Sequence, residues 1–167
     1  MPDSIQERLA GYALALRYEE LPHDVVHAAK TRIIDNLGAL AGGFFGDASV
    51  IARAFAAAQP CPGGATVLGT RMRTAPELAA FVNGTTARFA ELNDIYHWYA
   101  SYEGHPSDTV TPVLAAAEHA NASGRELVTA VVLAYEVFQR ISDEFPHRDF
   151  DNTTFCGIAT AVAAGKL

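Results

Sequence analysis

The sequence predicts an all-α domain, a bundle-like packing of helices with at most a very short strand pair. Three observations predict it. Ser4/Glu7, Thr74/Glu77 and Ser123/Glu126 match the capping-box spacing, in which two residues satisfy each other's free backbone donors at a helix start. Long runs of apolar residues recur at helical spacing: Val26, Ile33, Leu37, Leu40, Phe44, and then Leu127, Val131, Ala134, Phe138, Ile141. Only Ala65 to Leu68 (ATVL) reads as a plausible strand.

Ser4 and Glu7 open a first helix that runs to about Tyr18. Pro22 starts a longer one, with Lys30, Arg32 and Asp35 among its apolar positions. Gly38 and Gly42 lie one turn apart on it. Small residues at that spacing predict a tight helix–helix contact, although each glycine costs about 1 kcal/mol of helix propensity. A third helix, about Ala48 to Ala58, ends before Pro60-Cys61-Pro62-Gly63-Gly64. That cluster reads as a turn and lacks the spacing of a phosphate-cradling loop.

Thr74 and Glu77 cap a fourth helix, with Pro76 in the first turn, where its missing donor does no harm. Asn83-Gly84 is a hairpin signal elsewhere. Here TTARFAEL follows without strand alternation, so the helix is expected to continue or restart. Ser107 to Thr111 begins another helix, with Pro112 near its start. Ser123 and Glu126 open the most strongly patterned one. Val128, Val132 and Tyr135 give it a second apolar face, which belongs in the middle of a bundle. It ends near Pro146, and HRDFDNTT forms a polar loop. Thr153 or Thr154 then leads into FCGIATAVAAGKL, a helix still apolar at Leu167, which predicts a longer protein.

With 167 residues, 50% hydrophobic and 19% charged, the chain suits one globular domain and is wrong for a disordered one. The net charge of −7 and the lack of a basic stripe argue against nucleic acid and anionic membrane surfaces as partners. The longest nearly apolar run, Leu37 to Gly46, is too short to span a bilayer. The amino terminus MPDSIQERLA has no basic region followed by an apolar one, and Cys61 and Cys156 make no secreted disulfide framework. A cytoplasmic protein with free thiols is the expectation. Two cysteines also cannot supply the three thiolates of an aconitase-type iron–sulfur hydratase.

Chemistry concentrates in Arg88 to Val110, RFAELNDIYHWYASYEGHPSDTV, which holds the only tryptophan and two of the six histidines. Titratable groups set among aromatics between two helices are what an active-site loop requires; the alternative is a connecting loop that covers helix ends. Glu91 and Asp94, three apart, would project on one side of a helical turn, where repulsion raises one pKa. The alternative there is an exposed acidic helix end. His97 and His105 with these carboxylates match no recognisable metal spacing, so no metal is expected. Pro106 fixes the backbone beside His105, and Ser107 is placed to cap the following helix. That holds an imidazole at a helix entrance, where backbone donors favour anions. The alternative is a histidine packed against Tyr102 or Trp98. Arg88, His97 and His105 are the local cations. No nucleophilic triad is evident: Ser101 and Ser107 lack the strand–elbow–helix context, and Cys156 falls in an apolar helix.

TVLGTRMRTAPELAAFVNGTTARFAELNDIY followed by GHPSDTVTPVLAAAEHA resembles the MmgE/PrpD family, which includes 2-methylcitrate dehydratases and cis-aconitate decarboxylases. RIIDNLGALAGG upstream, and AYEVFQRI and FDNTTFCGIATAVAAGKL downstream, extend the resemblance over nearly the whole chain. Its flavour is more similar to the dehydratase branch. The resemblance implies a mostly helical domain completed by a smaller α+β lid, a homodimer, and no metal or organic cofactor. Residues 1–167 are then the N-terminal helical part of a longer two-domain protein, without the lid. The implied activity is a carbon–oxygen lyase acting on a small di- or tricarboxylate. His105, Glu91 and Asp94 are the implied catalytic residues, and Arg88, Asn93, Ser107 and Asn152 the substrate-binding ones. Glu91 stands where the family usually has aspartate, Ile95 where threonine is common, and Asp151-Asn152 where a histidine is frequent. Alternatives are a non-catalytic helical module that dimerises or needs a separate lid chain, and a decarboxylase or epimerase of the same family.

Overall fold

The computed structural model describes residues 4–97, 104–145, 151 and 153–167. Among these residues the chain forms seven α-helices and one two-stranded antiparallel sheet. The helices are α1 (Ile5–Ala15), α2 (His23–Gly43), α3 (Asp47–Ala57), α4 (Pro76–Arg88), α5 (Val110–His119), α6 (Gly124–Glu144) and α7 (Thr153–Lys166). Short 3-10 turns at Tyr18–Glu20 and Pro106–Thr109 lead towards α2 and into α5. This is the mostly α class that the sequence predicts.

Two of the three capping boxes form. The Ser4 hydroxyl accepts from the Glu7 amide while the Glu7 carboxylate accepts from the Ser4 amide, and Ser123 and Glu126 do the same for α6. Thr74 departs from the pattern. Its hydroxyl donates 2.7 Å to the Gln59 carbonyl, and α4 starts after Ala75 without a side-chain cap. Pro76 does occupy the first turn, and α4 runs unbroken through Asn83-Gly84 to Arg88. Asn83 is buried and stitches the strand end to α4, accepting from the Leu68 amide at 2.9 Å and donating to the Thr66 carbonyl at 3.0 Å.

α6 lies in the middle, as its two apolar faces require. Val128, Val131 and Ala134 pack with Val26 and Ala29 of α2, Val110 and Val113 of α5, and Ala163 of α7. Leu133, Val137 and Phe138 pack with Ala13 of α1 and Phe155 and Ala159 of α7. Fully burying side chains such as Leu133 and Phe138 stabilises by about 1.5–3 kcal/mol each. A separate small cluster joins Ala52 and Ala56 of α3 to Val67 and Val82.

Two further expectations need correction. Pro60–Thr66, expected to be a turn followed by a strand, is one bulged strand β1, paired antiparallel with β2 (Arg73–Thr74). Both Pro60 and Ala65 face Thr74 in the register, so Cys61–Gly64 form the bulge. Arg73 and Glu118 hold it: Arg73 bonds the Gly64 carbonyl, and Glu118 accepts from the Thr66 amide and hydroxyl and from Arg73. The second correction concerns the tight contact on α2. A Cβ on Gly38 would meet nothing within 4 Å, and one on Gly42 would make ordinary contact with Leu92 at 3.4 Å. Gly43 is the residue against which α4 closes, through the Thr86 carbonyl. Among the described residues no single helix is long and apolar enough to cross a membrane.

Candidate active site around His105

Four stretches converge here: the middle of α2, the end of α4 with the segment that follows, the turn before α5, and α6. Arg88 is the last residue of α4. The helix cannot continue because Glu91 takes a left-handed conformation (φ 50°), which costs a non-glycine residue about 1 kcal/mol. The chain then passes Asn93 and Asp94, in neither helix nor strand, to Tyr96, whose backbone pairs with Gly104 in both directions at 2.7 and 3.2 Å. His105 follows that bridge directly.

This geometry overturns the shared helical face for Glu91 and Asp94. The Glu91 side chain is 70% exposed and that of Asp94 only 6%. Glu91 lies 3.3 Å from Arg88, which also reaches Asp108 at 3.3 Å and donates to Asn93 Oδ1 at 3.4 Å. Asp94 Oδ1 accepts from the Ser107 amide at 3.1 Å, and Oδ2 accepts from the Tyr135 hydroxyl at 3.0 Å. Arg32 Nε stands 3.9 Å from the same Oδ2.

His105 is half-buried, and its Nδ1 lies 2.6 Å from the backbone carbonyl of Asp94. A carbonyl can only accept, so Nδ1 carries the proton, and in the neutral ring Nε2 keeps its lone pair. The structure thus brings His105, Asp94 and Ser107 together at one end, and Arg88, Glu91, Asn93 and Asp108 at the other. Asp108 joins them: its carboxyl is raised above the ordinary range, first by burial, with Asp94 and Glu91 adding to the shift and Arg88 and His105 opposing it.

Ser107 does not cap a helix. It is the second residue of the 3-10 turn, and the backbone donor expected to attract an external anion is taken by Asp94. Among the described residues its buried hydroxyl has no hydrogen-bond partner, nor do Asn36 Oδ1 and Asn93 Nδ2, while Asp108 Oδ1 has only the Arg88 ion pair. Asn36, Arg88, Ser107 and Asp108 line one cleft of about 420 Å³, together with Glu77, Phe81 and Gly84 of α4 and Thr111 and Pro112 of α5. His105 is not among its lining residues. His97 is exposed, and among the described residues no three His, Cys, Asp or Glu side chains are grouped to hold a metal ion. Ile95 is also exposed. Asn152, Trp98, Tyr99, Ser101 and Tyr102 lie outside the described residues. Asp151, beside Asn152, accepts from the Thr153 amide at the start of α7.

Cys156 on α7 points to the same region, its sulfur 3.8 Å from the His105 carbonyl. Burial, with Asp108 and Asp151 nearby, pushes its thiol up to about 12, so it is no nucleophile. The sequence marks Arg32 and Tyr135 only as helix positions, and Asn36 not at all. One local signal was available: a buried asparagine in mid-helix needs partners, and Asn36 donates to the Ser107 carbonyl at 3.1 Å.

Residues 7–167 match the MmgE/PrpD N-terminal domain. The chain belongs to the MmgE/PrpD family. It is 26% identical to a probable 2-methylcitrate dehydratase of Saccharomyces cerevisiae, over 99% of this chain and 34% of that protein. It is 28% identical to the cis-aconitate decarboxylase of Mus musculus, over 100% of this chain and 36% of that protein. The 2-methylcitrate dehydratase of Escherichia coli K12 is 34% identical over 64% of this chain and 24% of its own length. The chain therefore spans about a third or less of the curated relatives it matches.

Proposed function

We propose that this MmgE/PrpD chain carries part of the active site of a lyase that hydrates or dehydrates a small di- or tricarboxylate such as 2-methylcitrate. The observation that carries the reading is the His105 Nδ1–Asp94 carbonyl bond, which leaves Nε2 as the proton-accepting atom of a neutral imidazole. In dehydration, His105 removes the proton from the carbon beside a carboxylate, and that C–H pair becomes the new double bond. The C–O bond to the neighbouring hydroxyl breaks, and a proton delivered to the oxygen lets it leave as water. Glu91 is the exposed acid of the cluster and the candidate proton donor.

Arg88 supplies positive charge for a substrate carboxylate. The Ser107 hydroxyl and Asn93 Nδ2, unpartnered among the described residues, supply donors that substrate oxygens can satisfy. Asn152 remains a proposed substrate contact. A lid domain and a second copy, both implied by the family resemblance, would complete the enclosure.

The test is an assay of the intact protein with 2-methylcitrate and with cis-aconitate, following double-bond absorbance and released carbon dioxide separately. Dehydration of the first supports the reading, and carbon dioxide from the second supports a decarboxylase instead. No turnover of either by a folded, intact protein rejects the reading.

A further inference from the structure

We infer that Asp94 is the positioning residue of this site, setting the ring of His105 rather than carrying a proton. The inference rests on the proposed role of His105. Three contacts made by the one residue support it. The Asp94 carbonyl accepts from His105 Nδ1, while its two carboxylate oxygens are held by the Ser107 amide and the Tyr135 hydroxyl. Those donors come from the turn after His105 and from α6, which contributes to both of the larger core clusters.

The carboxylate therefore ties the Asp94 backbone to two independent elements, and the carbonyl that selects the imidazole tautomer moves only if that tie moves. With a side chain 6% exposed and a donor on each oxygen, Asp94 presents no unoccupied oxygen to a substrate. Burial, and then the charge of Asp94 itself, raises the Tyr135 phenol above its ordinary range, so Tyr135 remains a donor. Asparagine can keep both ties, its Oδ1 accepting from the Ser107 amide and its Nδ2 donating to the Tyr135 oxygen. Alanine keeps neither.

The test uses the intact protein, labelled with nitrogen-15 histidine, and compares Asp94→Asn with Asp94→Ala. The His105 nitrogen shifts read the tautomer without requiring turnover. Asp94→Asn is expected to keep the single Nδ1-protonated signature and to hold kcat on 2-methylcitrate or cis-aconitate within about tenfold. Asp94→Ala is expected to show a tautomer mixture and to lose about 100-fold or more, mainly in kcat, the scale of one proton transfer. Asp94→Asn as inactive as Asp94→Ala, with its signature intact, would make Asp94 a proton carrier and overturn the inference. An unaltered signature in Asp94→Ala overturns it equally. If the alanine variant does not fold, Tyr135→Phe removes one tie and is read the same way. Failure of the lyase reading shows elsewhere, as no turnover of either substrate by the unsubstituted protein, and failure of the His105 role as full activity in His105→Ala.

Discussion

Gly43 of α2 meets the backbone carbonyl of Thr86 on α4 with no room between them for a side-chain carbon. The same crossing carries Asn36 on α2 and Arg88 on α4 towards the Ser107–Asp108 turn, so the site depends on how closely these helices approach. Gly43→Ala is expected to force the helices apart and destabilise by about 1–3 kcal/mol, as overpacking does in a close-packed interior. Gly38→Ala, which meets open space, is expected to stabilise by about 0.5–1 kcal/mol. Urea unfolding of both variants beside the unsubstituted protein measures the contrast. Equal effects would show that the crossing does not need glycine.

Two carboxylates are expected to give pH dependences of opposite sign. Burial pushes Glu118 up, but the Thr66 hydroxyl and amide and Arg73 outweigh it, so its pKa is lowered. Its stabilisation is present above the ordinary glutamate range and is lost as pH falls through the folded value. The advantage of the unsubstituted protein over Glu118→Gln should therefore shrink on acidification. Asp108 is raised, so the fold favours its protonated form, and stability falls as pH rises through the ordinary range to the folded value. Asp108→Asn is then expected to raise the urea midpoint at pH 7, with the gap closing at acid pH. Midpoints measured from pH 3 to 8 decide both.

The thiols are expected to react as two classes. Cys61 is half-buried in the β1 bulge, whereas Cys156 is buried with its thiol pushed up to about 12. A chromogenic disulfide reagent at pH 8 should label Cys61 in the folded protein and reach Cys156 only after denaturation. Rapid labelling of Cys156 without denaturant would contradict its placement on α7.

His105→Ala in the intact enzyme is expected to lower turnover by about 100- to 10,000-fold with the melting temperature nearly unchanged. Half-exposure of the ring makes a large loss of stability unexpected. Paired measurements of kcat and thermal unfolding separate a chemical role from a structural one, and a folded variant with full turnover removes His105 from the mechanism.

The helices were legible because their signals are local. Ser4, Ser123, Pro22 and Pro76 act within one turn, and the alternating steps of α6 announced a helix buried on two sides. Thr74 misled because the same hydroxyl had a competing partner in Gln59, distant in sequence. Prolines and glycines concealed β1, since residues that break a regular strand are tolerated in a bulge. Of the site, His105, Asp94, Ser107 and Arg88 stood out within one short stretch. Asn36 and Tyr135, at 71 and 41 residues' remove from their partners, are joined to it only by folding. Spacing alone also placed Glu91 beside Asp94, and the left-handed turn at Glu91 separates them.

The paired amides and carbonyls of Tyr96 and Gly104 make a neck in the chain just before His105. The Asp94 carbonyl that meets the ring lies two residues before the neck, and His105 itself one residue after it. The direction in which the chain enters His105 is thus fixed by two backbone bonds rather than by any side chain. A substitution at Tyr96 or Gly104 that spares those two bonds should therefore leave the histidine's aim intact.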